Sequence, residues 1–220
     1  MASICEFTTP NERRYKPAEE IANAATHGLG ALLSIAALVL LVRAAAAGSD
    51  GLGVLGYALF GASLILLFGA SATYHGVASP RAKKRLEVLD HASIYALIAG
   101  TYSSFCLTVL RGPLGRTLFA VVWALAVAGA ALKVAFINKF RLLSTLGYVA
   151  MGWLIVFAFA PLRAALPPAS LNLLFAGGVA YTVGAAFYAL KKVPWFHPLW
   201  HLFVLAGAAC HVLSALLSMG

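Results

Sequence analysis

Carboxylates are scarce in this chain. Seven Asp and Glu stand against sixteen Lys and Arg among 220 residues, and charged residues of both signs make up only 10%. A surface so poor in charge excludes an ordinary soluble domain. Cysteine is nearly absent: Cys5, Cys106 and Cys210 have no CxxC spacing, which excludes a disulfide framework or a thiolate metal knuckle. No basic stretch is interleaved with aromatics on a polar face, so the net charge of +9 does not signal nucleic acid. The chain also lacks a strong internal repeat, an argument against a transporter built from duplicated halves. Its connectors are too short to fold as a second domain.

What is present is hydrocarbon. Hydrophobic residues make up 62% of the chain and the mean hydropathy is +0.89. A membrane span needs about 20 mostly apolar residues to cross a core of ~30 Å, and seven such runs follow one another. They cover approximately Ile21 to Val42, Leu52 to Tyr74, Val88 to Leu110, Thr117 to Phe136, Leu142 to Pro161, Ala169 to Leu190 and Trp195 to Ser218. Residues 1–20 are polar, with no apolar core of the signal-peptide kind, and read as a short cytosolic tail. The expectation is an all-α membrane protein, a single seven-helix transmembrane domain over residues 21–220.

Basic residues near the span ends set the orientation. Twelve fall on one side: Arg13, Arg14, Lys16, Arg81, Lys83, Lys84, Arg85, Lys133, Lys139, Arg141, Lys191 and Lys192. Only Arg43, Arg111, Arg116 and Arg163 fall opposite. The N-terminus is therefore expected in the cytoplasm and the C-terminus outside, in a multi-pass protein of the cell membrane.

This topology gathers the polar intramembrane residues at one level. His27 starts span one, Ser71 and His75 end span two, Asp90 and His91 start span three, and His197 and His201 start span seven. Because alternate spans run in opposite directions, all fall at the cytoplasmic end of the bundle. Ionisable groups inside a membrane turn inward and find partners, so a functional site is expected there; polar residues near helix ends that simply reach water are the bland alternative. His197 and His201 lie one helical turn apart on one face, which suits a shared metal ion or two separate interfacial side chains. His75 supplies a third imidazole, and three histidines with one open position form the coordination of a catalytic Zn²⁺. Asp90 is then placed to act as general base and Ser71 to hold water or Asp90 by a hydrogen bond. Taken singly, Ser71 also fits a hydroxyl bonded to its own helix, Asp90 a helix cap and His75 an interfacial residue.

Three blocks of residues carry a family resemblance: Glu20-x-x-Asn23-x-x-Thr26-His27-Gly28-x-Gly30; Ser71-x-x-x-His75 through Leu89-Asp90-His91; and His197-x-x-x-His201 with His211 beyond. With these blocks the chain resembles the bacterial hemolysin III proteins, members of the progestin and adipoQ receptor superfamily that is grouped with the alkaline ceramidases. The resemblance implies seven helices with a cytoplasmic N-terminus. It also implies a zinc held by His75, His197 and His201, with Asp90 and Ser71 beside it. Glu20, Asn23 and His27 share one helix face and are expected to close the cytoplasmic mouth of the bundle. His211 lies roughly 15 Å deeper than His201 at the helical rise, too far to join the same metal.

Two functions fit. One is a zinc-dependent hydrolase of a lipid amide or ester, with a membrane lipid as substrate. The other is a non-enzymatic sensor, regulator or pore-forming protein with a structural zinc. Neither substrate nor oligomeric state can be read from the sequence.

Overall fold

The computed structural model describes residues 15–137, 139–190 and 193–219. The expected tail therefore lies outside the described residues through position 14, as do Lys191 and Lys192 and the side chain of Arg141. Eight α-helices are found among the described residues: α1 (Pro17–Gly48), α2 (Gly51–Gly76), α3 (Pro80–Cys106), α4 (Pro113–Phe136), α5 (Arg141–Trp153), α6 (Phe159–Ala165), α7 (Pro168–Ala189) and α8 (Phe196–Leu217). A 3-10 segment, Leu154–Ala158, joins α5 to α6 into one rod.

Four helices open on proline at their first turn, at Pro17, Pro80, Pro113 and Pro168, where the missing N–H has no intrahelical partner to lose. Pro161 acts differently. Inside the α5–α6 rod it cannot donate to the carbonyl of Phe157, so the preceding turn tightens to 3-10 geometry. The Tyr102 hydroxyl reaches across from α3 to the carbonyls of Met151 and Gly152 at 3.1 and 2.9 Å, just before the break.

Six rods are long and apolar enough to cross a membrane, and α3 is not among them. Its helix also starts at Pro80, well before the expected Val88, because the basic stretch after Gly76 is helical rather than a connector. Packing explains the composition. α3 lies against α2, α4, α5 and α8, so protein surrounds much of it and few of its side chains need to suit lipid. Ser93, Thr101, Ser103 and Ser104 are buried along it. α1 is likewise longer than expected, running from Pro17 through Arg43 to Gly48. Glu20 is therefore helical and not part of a tail. Lys133, assigned from sequence to a charged helix end, is only 3% exposed.

The outside of the bundle is apolar as well as its core, unlike that of a soluble protein. Leu32, Val127, Val134, Phe157 and Leu143 are all more than half exposed, an arrangement stable only with hydrocarbon as solvent. Close helix approach relies on small residues. A Cβ at Gly56 of α2 would lie 2.6 Å from the backbone oxygen of Ser103 on α3. At the end of the bundle opposite the N-terminus, Asp50 caps α2 through the Gly53 N–H and grips the Arg111 guanidinium with both oxygens. Those hydrogen bonds from Arg111 hold the Asp50 carboxyl down at about 2, so the pair stays ionised across the physiological range.

Candidate metal centre

The three histidines converge although they come from opposite ends of the chain. His75 occupies the last turn of α2, and His197 and His201 the first two turns of α8. Pro198 sits in that first turn, where proline is tolerated. Trp195, in left-handed backbone at φ 67°, turns the chain into α8. Its N–H donates to Glu19 Oε1 at 2.8 Å, and the other Glu19 oxygen accepts from the Lys16 N–H at 3.0 Å. One buried carboxylate thereby fixes the start of α8 against the start of α1.

All three imidazoles are buried, at 4%, 5% and 1% exposure for His75, His197 and His201. His197 Nε2 lies 3.3 Å from His75 Nε2 and 3.1 Å from His201 Nε2. Tetrahedral coordination at ~2.05 Å places ligand nitrogens about 3.3 Å apart, so the spacing is that of a zinc-sized ion. The protons agree with it. His75 Nδ1 faces Glu20 Oε2 at 2.5 Å, and His201 Nδ1 faces the Asn23 carbonyl at 3.3 Å. Each acceptor requires an N–H at Nδ1, which leaves the Nε2 lone pairs of both rings directed to the common centre. Two inward lone pairs facing the third ring at this distance call for a positive centre, a proton on His197 Nε2 or a cation among the three. The residues present therefore fit a metal ion, and His75, His197 and His201 form a group able to hold one.

The α1 face shared by Glu20, Asn23 and His27 serves the triad directly. Glu20 bridges His75 and Lys83, whose Nζ is 2.7 Å from Oε1. His27 stacks on His201 with ring centroids 3.6 Å apart and 14° between planes, and meets the edge of Phe68. The face expected at the mouth of the bundle therefore lies against the triad: Glu20 and Asn23 accept from the rings of His75 and His201, and His27 packs on His201.

Tyr15 was not singled out from sequence. Its ring stacks on His197 at 4.6 Å and lies 5.8 Å from His75, covering the triad from the N-terminal side. Burial, reinforced by Tyr74 and other acidic neighbours, raises its phenol above the ordinary range, so the ring stays neutral. Lys83, Glu19 and Tyr188 were also missed. Each lies in a stretch whose only sequence signal was polarity near a helix end.

Behind the triad a cavity of about 130 Å³ runs into the bundle. Ser71, Asp90, His91, His27 and His211 line it together with His197 and His201, and most of its remaining wall is apolar, including Leu67, Ile94, Ile98 and Val204. The Ser71 hydroxyl, one turn before His75, is buried without a hydrogen-bond partner. Asp90 lies 3.9 Å from His91 Nδ1, too long for a hydrogen bond. His91 instead donates from Nδ1 to the Glu87 carbonyl at 2.8 Å, and its Nε2 accepts from the Tyr188 hydroxyl at 3.0 Å. It forms wall, not part of the triad. His211 lies at the deep end, with Nε2 donating to the Leu174 carbonyl at 3.0 Å.

These features define a multi-pass helical membrane protein with a tri-histidine, metal-competent centre at one end of an apolar cavity. The chain belongs to the haemolysin-III related family, whose model matches residues 15–212. It is 48% identical over 191 residues to the Hemolysin-3 homolog of Bacillus subtilis (strain 168), covering 87% of this chain and 90% of that protein. It is 47% identical over 191 residues to Hemolysin-3 of Bacillus cereus, covering 87% of each. A more distant relative is the Monocyte to macrophage differentiation factor of Homo sapiens, 28% identical over 216 residues, 92% of this chain and 86% of that one. Six apolar rods and this family membership make the chain a multi-pass protein of the cell membrane.

Proposed function

We propose that this protein is a zinc-dependent hydrolase of a lipid amide or ester, with α3 as a seventh span, the N-terminus in the cytoplasm and the triad facing that side. The observation that carries the reading is the convergence of three buried Nε2 atoms at the mouth of an apolar cavity that also presents a carboxylate and an unpartnered hydroxyl. His75, His197 and His201 would hold the ion. Zinc bound there supplies a Lewis acid for an acyl carbonyl and lowers the pKa of water to about 7.

The chain's own residues supply the rest. Asp90 takes the proton of the attacking water and returns it to the leaving amine or alkoxide. Ser71 has a free hydroxyl on the same wall to orient that water or the Asp90 carboxylate. The apolar wall receives the acyl chain, so that the bond to be cleaved rests at the polar end. Glu20 keeps Nε2 of His75 turned inward. Glu20→Gln is therefore expected to weaken zinc binding by about 10–100-fold, read by competition with a chelating dye, with the fold retained. Unchanged affinity would remove Glu20 from the centre.

The Tyr15 stack favours a second reading, a non-enzymatic regulator whose covered zinc is structural. The names of the Bacillus relatives suggest a pore, but beyond His211 the buried hydroxyls are satisfied within the protein. Ser170 and Ser214 each donate to the other's carbonyl, at 2.8 and 2.7 Å, and Ser103 accepts from Trp123 Nε1 at 3.0 Å. Little hydrogen-bonding capacity is left there for an ion.

The deciding experiment incubates purified, zinc-loaded protein with a panel of N-acyl and O-acyl lipids and measures free fatty acid. Release that stops on chelation and resumes with zinc is the expected result. No release from any lipid, with zinc bound, would leave the regulator.

A further inference from the structure

The cavity has a second polar end. His211 and Tyr181 both line it, and each carries a buried polar atom without a hydrogen-bond partner: Nδ1 of His211 and the hydroxyl of Tyr181. The two rings meet edge to face with centroids 5.3 Å apart. Because His211 Nε2 donates to the Leu174 carbonyl, Nδ1 is a bare acceptor. The Tyr181 hydroxyl beside it can donate as well as accept.

The helices are shaped around this pair. Gly177 and Tyr181 lie one turn apart on α7, as do Gly207 and His211 on α8. A Cβ at Gly177 would lie 2.3 Å from Cδ2 of His211, and one at Gly207 would lie 3.0 Å from the Tyr181 ring. Each helix thus provides a glycine seat for the other's ring. Ten residues separate His211 from His201, so the pair lies about 15 Å from the triad along α8.

We propose that Tyr181 and His211 form a second polar subsite, which binds a hydroxyl group carried on the hydrocarbon chain of the ligand. This rests on the reading that the cavity takes an acyl chain. A hydroxyl suits both kinds of group, able to donate to Nδ1 and to accept from the tyrosine O–H. A ketone would leave Nδ1 unmet, a carboxylate would face its lone pair, and an unsubstituted chain would bury both atoms unpaired. The substrate class becomes a lipid with two polar groups, an amide or ester at the triad and a hydroxyl about 15 Å along its chain. A water molecule offers the same hydrogen bonds, and the experiment separates the two.

Purified zinc-loaded protein is titrated with stearic acid and with hydroxystearic acids differing in hydroxyl position, followed by the fluorescence of Trp153 and Trp200, both in the cavity wall. The acid whose hydroxyl lies about 15 Å from its carboxyl is expected to bind about tenfold more tightly than stearic acid, and one with the hydroxyl near the carboxyl is not. Tyr181→Phe, which keeps the ring, is expected to remove the preference, in part by tightening stearic acid binding because the unmet hydroxyl is gone, and His211→Gln to reduce it. Equal affinity for both acids in the unmodified protein, or a preference that survives both substitutions, would assign the two groups to water and overturn the subsite alone. Failure of either acid to bind would overturn it together with the lipid reading. Tight, selective binding without any hydrolysis would support the subsite and count only against the proposed reaction.

Discussion

His201→Ala is expected to empty the zinc centre. Purified protein equilibrated with low free zinc should carry one ion per chain by elemental analysis, and the variant close to none. His201 is the most buried of the three histidines, held between the His27 ring and the Asn23 carbonyl. Tetrahedral zinc sites bind with roughly 10–16 kcal/mol shared among their ligands, and loss of one ligand corresponds to about 10²–10³-fold in affinity. Stability should follow, because a ligand that binds only the folded state stabilises it by about 4 kcal/mol at a thousand times its Kd. Zinc should therefore raise the melting temperature of the unmodified protein and leave that of the variant where it was. His91→Ala provides the contrast: His91 forms cavity wall outside the triad, and its loss should leave the zinc content intact. A His201→Ala protein with a full complement of zinc would mean that the ion sits elsewhere.

Asp90→Asn should separate binding from chemistry. The side chain keeps its volume and loses its basicity, while the three histidines are untouched. Zinc content should be unchanged and acyl-lipid hydrolysis should fall by about 10²–10⁴-fold, the usual contribution of a positioned general base. That fall equals a rise of roughly 3–5 kcal/mol in the barrier. Hydrolysis at the unmodified rate would assign proton transfer to another group and reduce Asp90 to a wall residue.

How far the sequence foretold this depends on which force placed each residue. Long apolar runs and basic connectors predicted seven spans, and six of the described rods are long and apolar enough to cross, because exposure to lipid imposes a compositional rule on every turn. α3, expected as the third span, does not meet that rule: protein rather than lipid surrounds much of it, and its buried hydroxyls bond within the helix or to α4 and α5. The ligand histidines could be grouped because alternating helix direction converts positions in sequence into depth. The partners of those ligands could not. That Glu20 would meet His75, that Asn23 would offer a backbone carbonyl to His201, and that Tyr15 would lie across His197 depend on helix rotation and on how α1 enters the bundle. Depth says nothing about either. Lys133 shows the same gap, since a basic residue near a helix end looks identical in sequence whether it faces water or is buried.

The order in which the ligands leave the ribosome has its own consequence. One of them, on α2, is made early, while the other two sit on α8, the last helix of the chain. A chain without α8 has His75, its Glu20 partner and the His27 imidazole of α1, but neither His197 nor His201. The three-histidine set is complete only once α8 has docked beside α1 and α7. On the proposed reading, metal content would then report that α8 has been made and seated.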